Sequence, residues 1–150
     1  MIWHDVSDPR LLEAVTRRRA EQTARECEAR FDHLSVGYEI VGSRGIITVL
    51  QDDRFVISKE MVETEESLAE PHKLVEYAKV LMNKARLVVI VPKACAVEHR
   101  LKMLELNNYW LFYYQLYYYD ERGELYHLDR KTWRRLRGLP SDVEWSPEVA

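Results

Sequence analysis

Gly37–Val41 reads GYEIV, Gly45–Leu50 reads GIITVL, Arg54–Ile57 reads RFVI and runs on into Ser58–Glu63, and Leu87–Val91 reads LVVIV. These runs decide the fold. The first three are short, rich in β-branched residues and separated by turns, Ser43-Arg44-Gly45 and then Gln51-Asp52-Asp53. Connections that short suit antiparallel hairpins. Leu87–Val91 is apolar at every position, the pattern of a strand covered on both sides. Between it and the third strand lie an acidic loop, Glu65–Glu70, and a helical stretch opened by Glu70-Pro71. That stretch carries Leu74, Tyr77, Ala78, Leu81 and Ala85 on one face.

Working outward, Asp8-Pro9 is a helix start, with an acidic cap followed by proline at the first helical position. Leu11, Val15, Ala20, Ala24, Cys27, Phe31 and Leu34 then recur at mostly three- and four-residue spacing, predicting a helix over Pro9–Leu34. Its polar face holds Arg17, Arg18, Arg19, Glu21, Arg25, Glu28 and Arg30. Beyond Pro92 a third helix is expected over Ala94–Leu106. Tyr109–Tyr119 (YWLFYYQLYYY) reads as an aromatic strand that turns at Asp120–Gly123 and returns through Glu124–Leu128. Lys131–Arg137 reads as a short basic helix stopped by Gly138 and Pro140. The expectation is one α/β domain over 1–150: a mixed sheet of four or five strands flanked by helices, with a core over 9–92 and a C-terminal extension over 93–150.

At 150 residues the chain is long enough to bury one core without staples. Hydrophobic residues at 47% and charged residues at 31% describe a globular protein. A net charge of −3 argues against a protein that is basic throughout, and leaves a local basic face. No run reaches the length of a membrane span and the N-terminus has no apolar leader, so a cytoplasmic protein is expected. Plentiful Glu and Arg with scarce Asn and Gln fit a thermophile. Cys27 and Cys95 fit neither a disulfide framework nor a zinc site and read as buried free thiols. His4, His33, His72, His99 and His127 are scattered and read as surface residues. Phosphate-binding loops, dinucleotide fingerprints, serine elbows and HExxH are all absent from the sequence, which leaves the corresponding chemistries without support.

Helix, three antiparallel-leaning strands, helix, parallel strand resembles the core of the restriction-endonuclease-like fold, the PD-(D/E)xK nuclease superfamily, including its archaeal Holliday-junction-resolvase-type cores. The resemblance covers Leu11–Pro92. It rests on a helix containing Glu26 leading to Gly37-Tyr38-Glu39, a hairpin of β-branched strands, and Lys73–Ala78 leading into Leu87–Val91. It implies an αβββαβ core and a nuclease centre. That centre needs an acid on the second strand and (D/E)-x-K on the third, where carboxylates hold Mg²⁺ or Mn²⁺ and the lysine steadies the attacking water. Simple alignment places the first acid near Arg44-Gly45 and the triplet on Ser58-Lys59-Glu60, so the motif is degenerate.

Three functions follow as expectations. The first is a nucleic-acid-associated protein, on DNA or RNA, with an inactive centre and no cofactor. The second is an active Mg²⁺- or Mn²⁺-dependent nuclease with a migrated motif. There Asp52 or Asp53, Glu60 and Glu26 gather the metal, and Lys59 joins them if a bulge shifts its register. Arg17, Arg18, Arg19, Arg130, Lys131, Arg134, Arg135 and Arg137 are the candidate phosphate contacts for either. The third is a homo-oligomer or protein-interaction module that uses the Tyr109–Tyr119 strand as its interface. In that strand Tyr109, Tyr113, Tyr117 and Tyr119 share one face, while Tyr114 and Tyr118 share the other with Trp110 and Phe112. Glu60, Glu63, Glu65, Glu66 and Glu70 read as a solvated acidic patch.

Overall fold

Proline at its first position and the Asp8 carboxylate, which accepts the Arg10 N–H at 2.8 Å, start the first helix, α1 (Pro9–Glu28). The computed structural model describes residues 8–30, 33–108 and 114–139. Helix α1 stops short of the expected Leu34, because Leu34 already opens the first strand. β1 (Leu34–Val41) pairs antiparallel with β2 (Arg44–Gln51) along its whole length. Their turn is Gly42-Ser43, with Gly42 at φ +63°, so Arg44 belongs to the strand and not to the turn. β2 pairs antiparallel with β3 (Phe55–Val62).

The acidic loop contains one turn of helix, α2 (Glu65–Leu68), closed by reciprocal hydrogen bonds between Thr64 and Ser67. Helix α3 (Lys73–Met82) crosses to β4 (Arg86–Pro92), which lies parallel to β3. A 3₁₀ turn, Lys93–Cys95, leads into α4 (Ala96–Met103), and a second 3₁₀ segment, Leu104–Asn108, follows. β5 (Tyr114–Tyr119) is parallel to β4, β6 (Leu125–His127) returns antiparallel, and α5 (Arg130–Leu136) comes last.

The result is α/β. Six strands among the described residues form one mixed sheet in the order β1-β2-β3-β4-β5-β6. One face is covered by α1, whose Leu11, Leu12, Val15 and Ala20 pack on Ile47, Val62, Val88, Ile90 and Tyr119. The other face packs Met61, Leu87, Val89, Val91, Leu116 and Tyr118 against α3, α4 and Trp133 of α5. β4 contributes to both clusters, which explains why Leu87–Val91 is apolar throughout. The aromatic strand follows the same rule. Tyr114 and Tyr118 point to one core, and Tyr119 points to the other. Tyr109, Trp110, Phe112 and Tyr113 lie outside the described residues.

Helix α1 sits close on β2 at one point. A side chain at Gly45 would run into Thr16, whose hydroxyl already donates to the Leu12 carbonyl at 2.7 Å. Gly45→Ala is expected to cost about 2 kcal/mol by overpacking. Adding Thr16→Ala, which removes the atoms in the way, should return most of it. Chemical denaturation of the two single variants and the double variant measures this.

Candidate functional site

Two carboxylates have no exposure to solvent, Glu60 on β3 and Glu63 just beyond its end. The expected acidic patch therefore divides: Glu65, Glu66 and Glu70 are at the surface, and these two are not. Burying an ionised carboxylate requires partners for both oxygens. Each glutamate finds a different set.

Glu60 faces α1, between Ile47 on β2 and Val88 on β4. Arg19 donates from Nε to Oε1 at 2.6 Å and from Nη2 to Oε2 at 3.2 Å, and the Thr23 hydroxyl adds a third bond to Oε2 at 2.9 Å. Arg19 is itself fully buried, with its guanidinium 4.6 Å from the centre of the Tyr117 ring and a further bond to Gln22 at 2.9 Å. Burial works against its charge, but the hydrogen bonds and charge of Glu60 outweigh burial and hold it firmly protonated. Arg86 stands 3.8 Å from Glu60, and Glu26 stands 3.9 Å from Arg19. Beside this pair opens a cleft of about 400 Å³, lined by Thr23, Glu26, Cys27, Arg30, Ser58 and Arg86.

The metal set suggested by the sequence does not assemble. Lys59 lies on the opposite sheet face, beside Glu76 and Lys79. The bulge that would have turned it exists, but it falls between Val49 and Leu50, before Ser58, and Lys59 still pairs with Thr48. Asp52 and Asp53 form the β2–β3 turn, both at positive φ, and Asp53 accepts the Ser35 hydroxyl at 3.2 Å. Asp52 is five positions along β2 from the residue opposite Glu60, about 16 Å at strand spacing. Glu26 turns its charge to Arg19. Among the described residues no three His, Cys, Asp or Glu side chains gather as a metal site. A guanidinium occupies the donor positions of Glu60, so these residues do not fit a divalent ion.

Glu63 lies just past the end of β3, its N–H bonded to the Ile90 carbonyl. Arg44 binds it through two parallel bonds, Nε to Oε1 at 2.6 Å and Nη2 to Oε2 at 2.7 Å, and reaches Glu76 at 2.5 Å. The Tyr77 hydroxyl donates to Oε2 at 2.6 Å, and Lys73 is 4.0 Å away. His99 Nε2 is 3.2 Å from the Tyr77 oxygen. Since the Tyr77 proton goes to Glu63, His99 supplies the N–H of that contact. Burial pushes the His99 imidazole down to about 4, so it is neutral at pH 7. Burial works to raise Glu63, but the Arg44 and Tyr77 hydrogen bonds outweigh it and hold the carboxyl below its usual range. Burial and the Glu63 charge push the Tyr77 hydroxyl far up. Glu63, Tyr77 and His99 are all moved away from neutrality, which does not favour proton transfer among them. The cluster ties β2, β3, α3 and α4 together.

The basic residues separate as well. Arg17 is 3.9 Å from Glu13, Arg18 donates to the Gly123 carbonyl at 2.6 Å, and Arg19 is buried, so the helix α1 run is not a solvated row. On α5, Lys131 and Arg135 are exposed, Arg137 stacks on Trp133 at 4.6 Å, and Arg130 and Arg134 are half-buried. α5 and α1 cover opposite faces of the sheet, so the two sets form no single track. Cys27 and Cys95 are partly exposed thiols, not buried ones. His99 is buried, while His33, His72 and His127 are at the surface and His4 lies outside the described residues. In the described part of the aromatic strand Tyr114, Tyr118 and Tyr119 are buried, Tyr117 is half-buried, and β5 has a neighbour on each side.

The Arg19–Glu60 partnership had a signal that composition hides. Val15, Arg19 and Thr23 repeat at four-residue spacing within the apolar stripe of α1, and Glu60 shares an inward row with Ser58 and Val62. A polar residue on each buried face needs the other.

Arg19→Met leaves Glu60 buried without its charge partner and should cost about 3–5 kcal/mol, whereas Arg19→Met with Glu60→Leu should recover most of that loss. Equilibrium denaturation tests both. The pH dependence has a definite sign. His99 is depressed on folding, so its contribution is complete above its ordinary value of 6.5 and is lost as pH falls toward about 4. Glu63 adds a further loss below its ordinary 4.5. His99→Gln should flatten the melting temperature between pH 6.5 and 4 while leaving the lower decline in place.

No family model, curated protein or solved structure matches the chain, so what these groups do is argued from their geometry.

Proposed function

We propose that this chain is a nucleic-acid-associated protein on a nuclease-like α/β core, in which an ion pair stands where the metal-binding centre would be. The element order supports the core: a helix, three antiparallel strands, a crossing helix and a strand parallel to the third. The observation that carries the loss of catalysis is the inward row of β2. Gly45, Ile47 and Val49 stand opposite Val62, Glu60 and Ser58, so Glu60 has no carboxylate across from it. Arg19 supplies the positive charge that a metal would bring, as a fixed guanidinium. Such a charge neutralises Glu60 but cannot activate water.

Nucleic-acid association rests on the exposed Lys131 and Arg135 with neighbouring Arg137, which give α5 a basic outer side. Contacts of this kind are salt-sensitive and tolerant of sequence.

Labelled single-stranded, duplex and branched DNA, and RNA, with Mn²⁺ or EDTA, test both halves. The expected result is a mobility shift without cutting in either condition. Affinity should fall with salt by a log–log slope of about −0.7 to −0.9 per phosphate contacted. Lys131→Glu with Arg135→Glu should weaken it further. Mn²⁺-dependent cutting abolished by Glu60→Ala would restore the active-nuclease reading. Absence of any shift at low salt would remove the nucleic-acid reading.

A further inference from the structure

Among the described residues β1 is an edge strand, and a defined set of its backbone groups has no strand partner there. The Asp52 N–H donates to the His33 carbonyl at 2.8 Å, which makes 33 and 52 a hydrogen-bonded pair. Antiparallel pairing alternates, so Ser35, Gly37, Glu39 and Val41 spend their N–H and C=O groups on β2. Leu34, Val36, Tyr38 and Ile40 direct theirs to the open edge. Proteins ordinarily blunt such an edge with proline, lysine, a bulge or brevity. β1 has none of these: it is eight residues long, LSVGYEIV, and the sheet's bulge lies between β2 and β3. Tyr38 and Ile40 are each 40% exposed, and Val41 is 49% exposed. The opposite edge, β6, has only three residues.

We propose that β1 pairs antiparallel with β1 of a second copy, joining the two sheets into one. The strand is complementary to itself in one register. Centred on Gly37, Leu34 meets Ile40 and Val36 meets Tyr38, so all four outward residues form hydrogen-bonded pairs with outward residues. Aliphatic and aromatic–β-branched neighbours then face each other. Glu39, the strand's one charge, meets the Ser35 hydroxyl. Centring on Tyr38 leaves Leu34 unpaired, and centring on Glu39 sets two carboxylates opposite each other.

The two-fold axis places both α1 helices on one face of the joined sheet. Along the border near β1, where the Tyr38 hydroxyl reaches Glu13 at 3.0 Å, the helix presents Glu13, Arg17 and Glu21. This interface does not depend on nucleic acid and replaces the aromatic strand as the contact between copies.

Sedimentation or light scattering across a dilution series of the full chain tests it. The wild type should have twice the 17.9 kDa chain mass. Val36→Pro removes an outward N–H and spares the β2 ladder; Ile40→Lys places a charge on the edge. Both should dissociate about tenfold or more easily with unchanged circular dichroism. Val75→Lys, on the exposed side of α3, should remain dimeric. A wild type at 17.9 kDa throughout would overturn the proposal. So would a dimer as tight in Ile40→Lys as in the wild type, which decides the matter even if Val36→Pro fails to fold.

Discussion

The pairing of Arg19 with Glu60 is the constraint on which the α1 side of the molecule depends. A carboxylate in the middle of a sheet face, between Ile47 and Val88, is tolerable only if something charged covers it. Arg19 and Thr23 do so from consecutive turns of α1, which fixes both the rotation and the axial position of that helix. With that position set, Thr16 lies over Gly45, and Leu11, Leu12 and Val15 reach the sheet. In the proposed function the same pair also stands in for the metal centre. A metal and a bidentate guanidinium compete for the same oxygens, and here the guanidinium is part of the chain.

Glu63 does the corresponding work on the other side. It gathers donors from β2 and α3, and through Tyr77 it reaches His99 on α4. Two buried carboxylates three residues apart, one on a strand and one just past its end, are an expensive way to assemble a core, because desolvation offsets much of the attraction. What they add is register: slipping β3 by one residue would send Glu60 and Val62 to the wrong faces. Position, more than net stability, is what such pairs supply here.

The sheet was legible because its signals are periodic. β-branched runs, a continuous apolar strand and the Asp8-Pro9 start each have a local cause, and β1 to β4 fall where those causes put them. The end of α1 was not legible, since Leu34 fits a helical stripe and a strand equally well and only pairing with Gln51 selects the strand. The site was less legible still. Asp52 and Asp53 attract notice as acids, yet their positive φ values make them turn residues. Arg19 looked like one arginine of three on a polar face, although Arg17 and Arg18 are exposed and Arg19 is not. Which polar residue goes inside is set by the partner waiting across the core, and no single segment contains both.

The most direct test of the claim that Arg19 occupies the place of a metal is Mn²⁺ titration followed by NMR of the Arg19 Nε–H and the Thr23 and Ile47 methyl signals. The guanidinium proton should be slow to exchange, and none of these signals should broaden selectively as Mn²⁺ is added. Selective broadening around Glu60, reversed by EDTA, would show a metal reaching the carboxylate and would contradict the account.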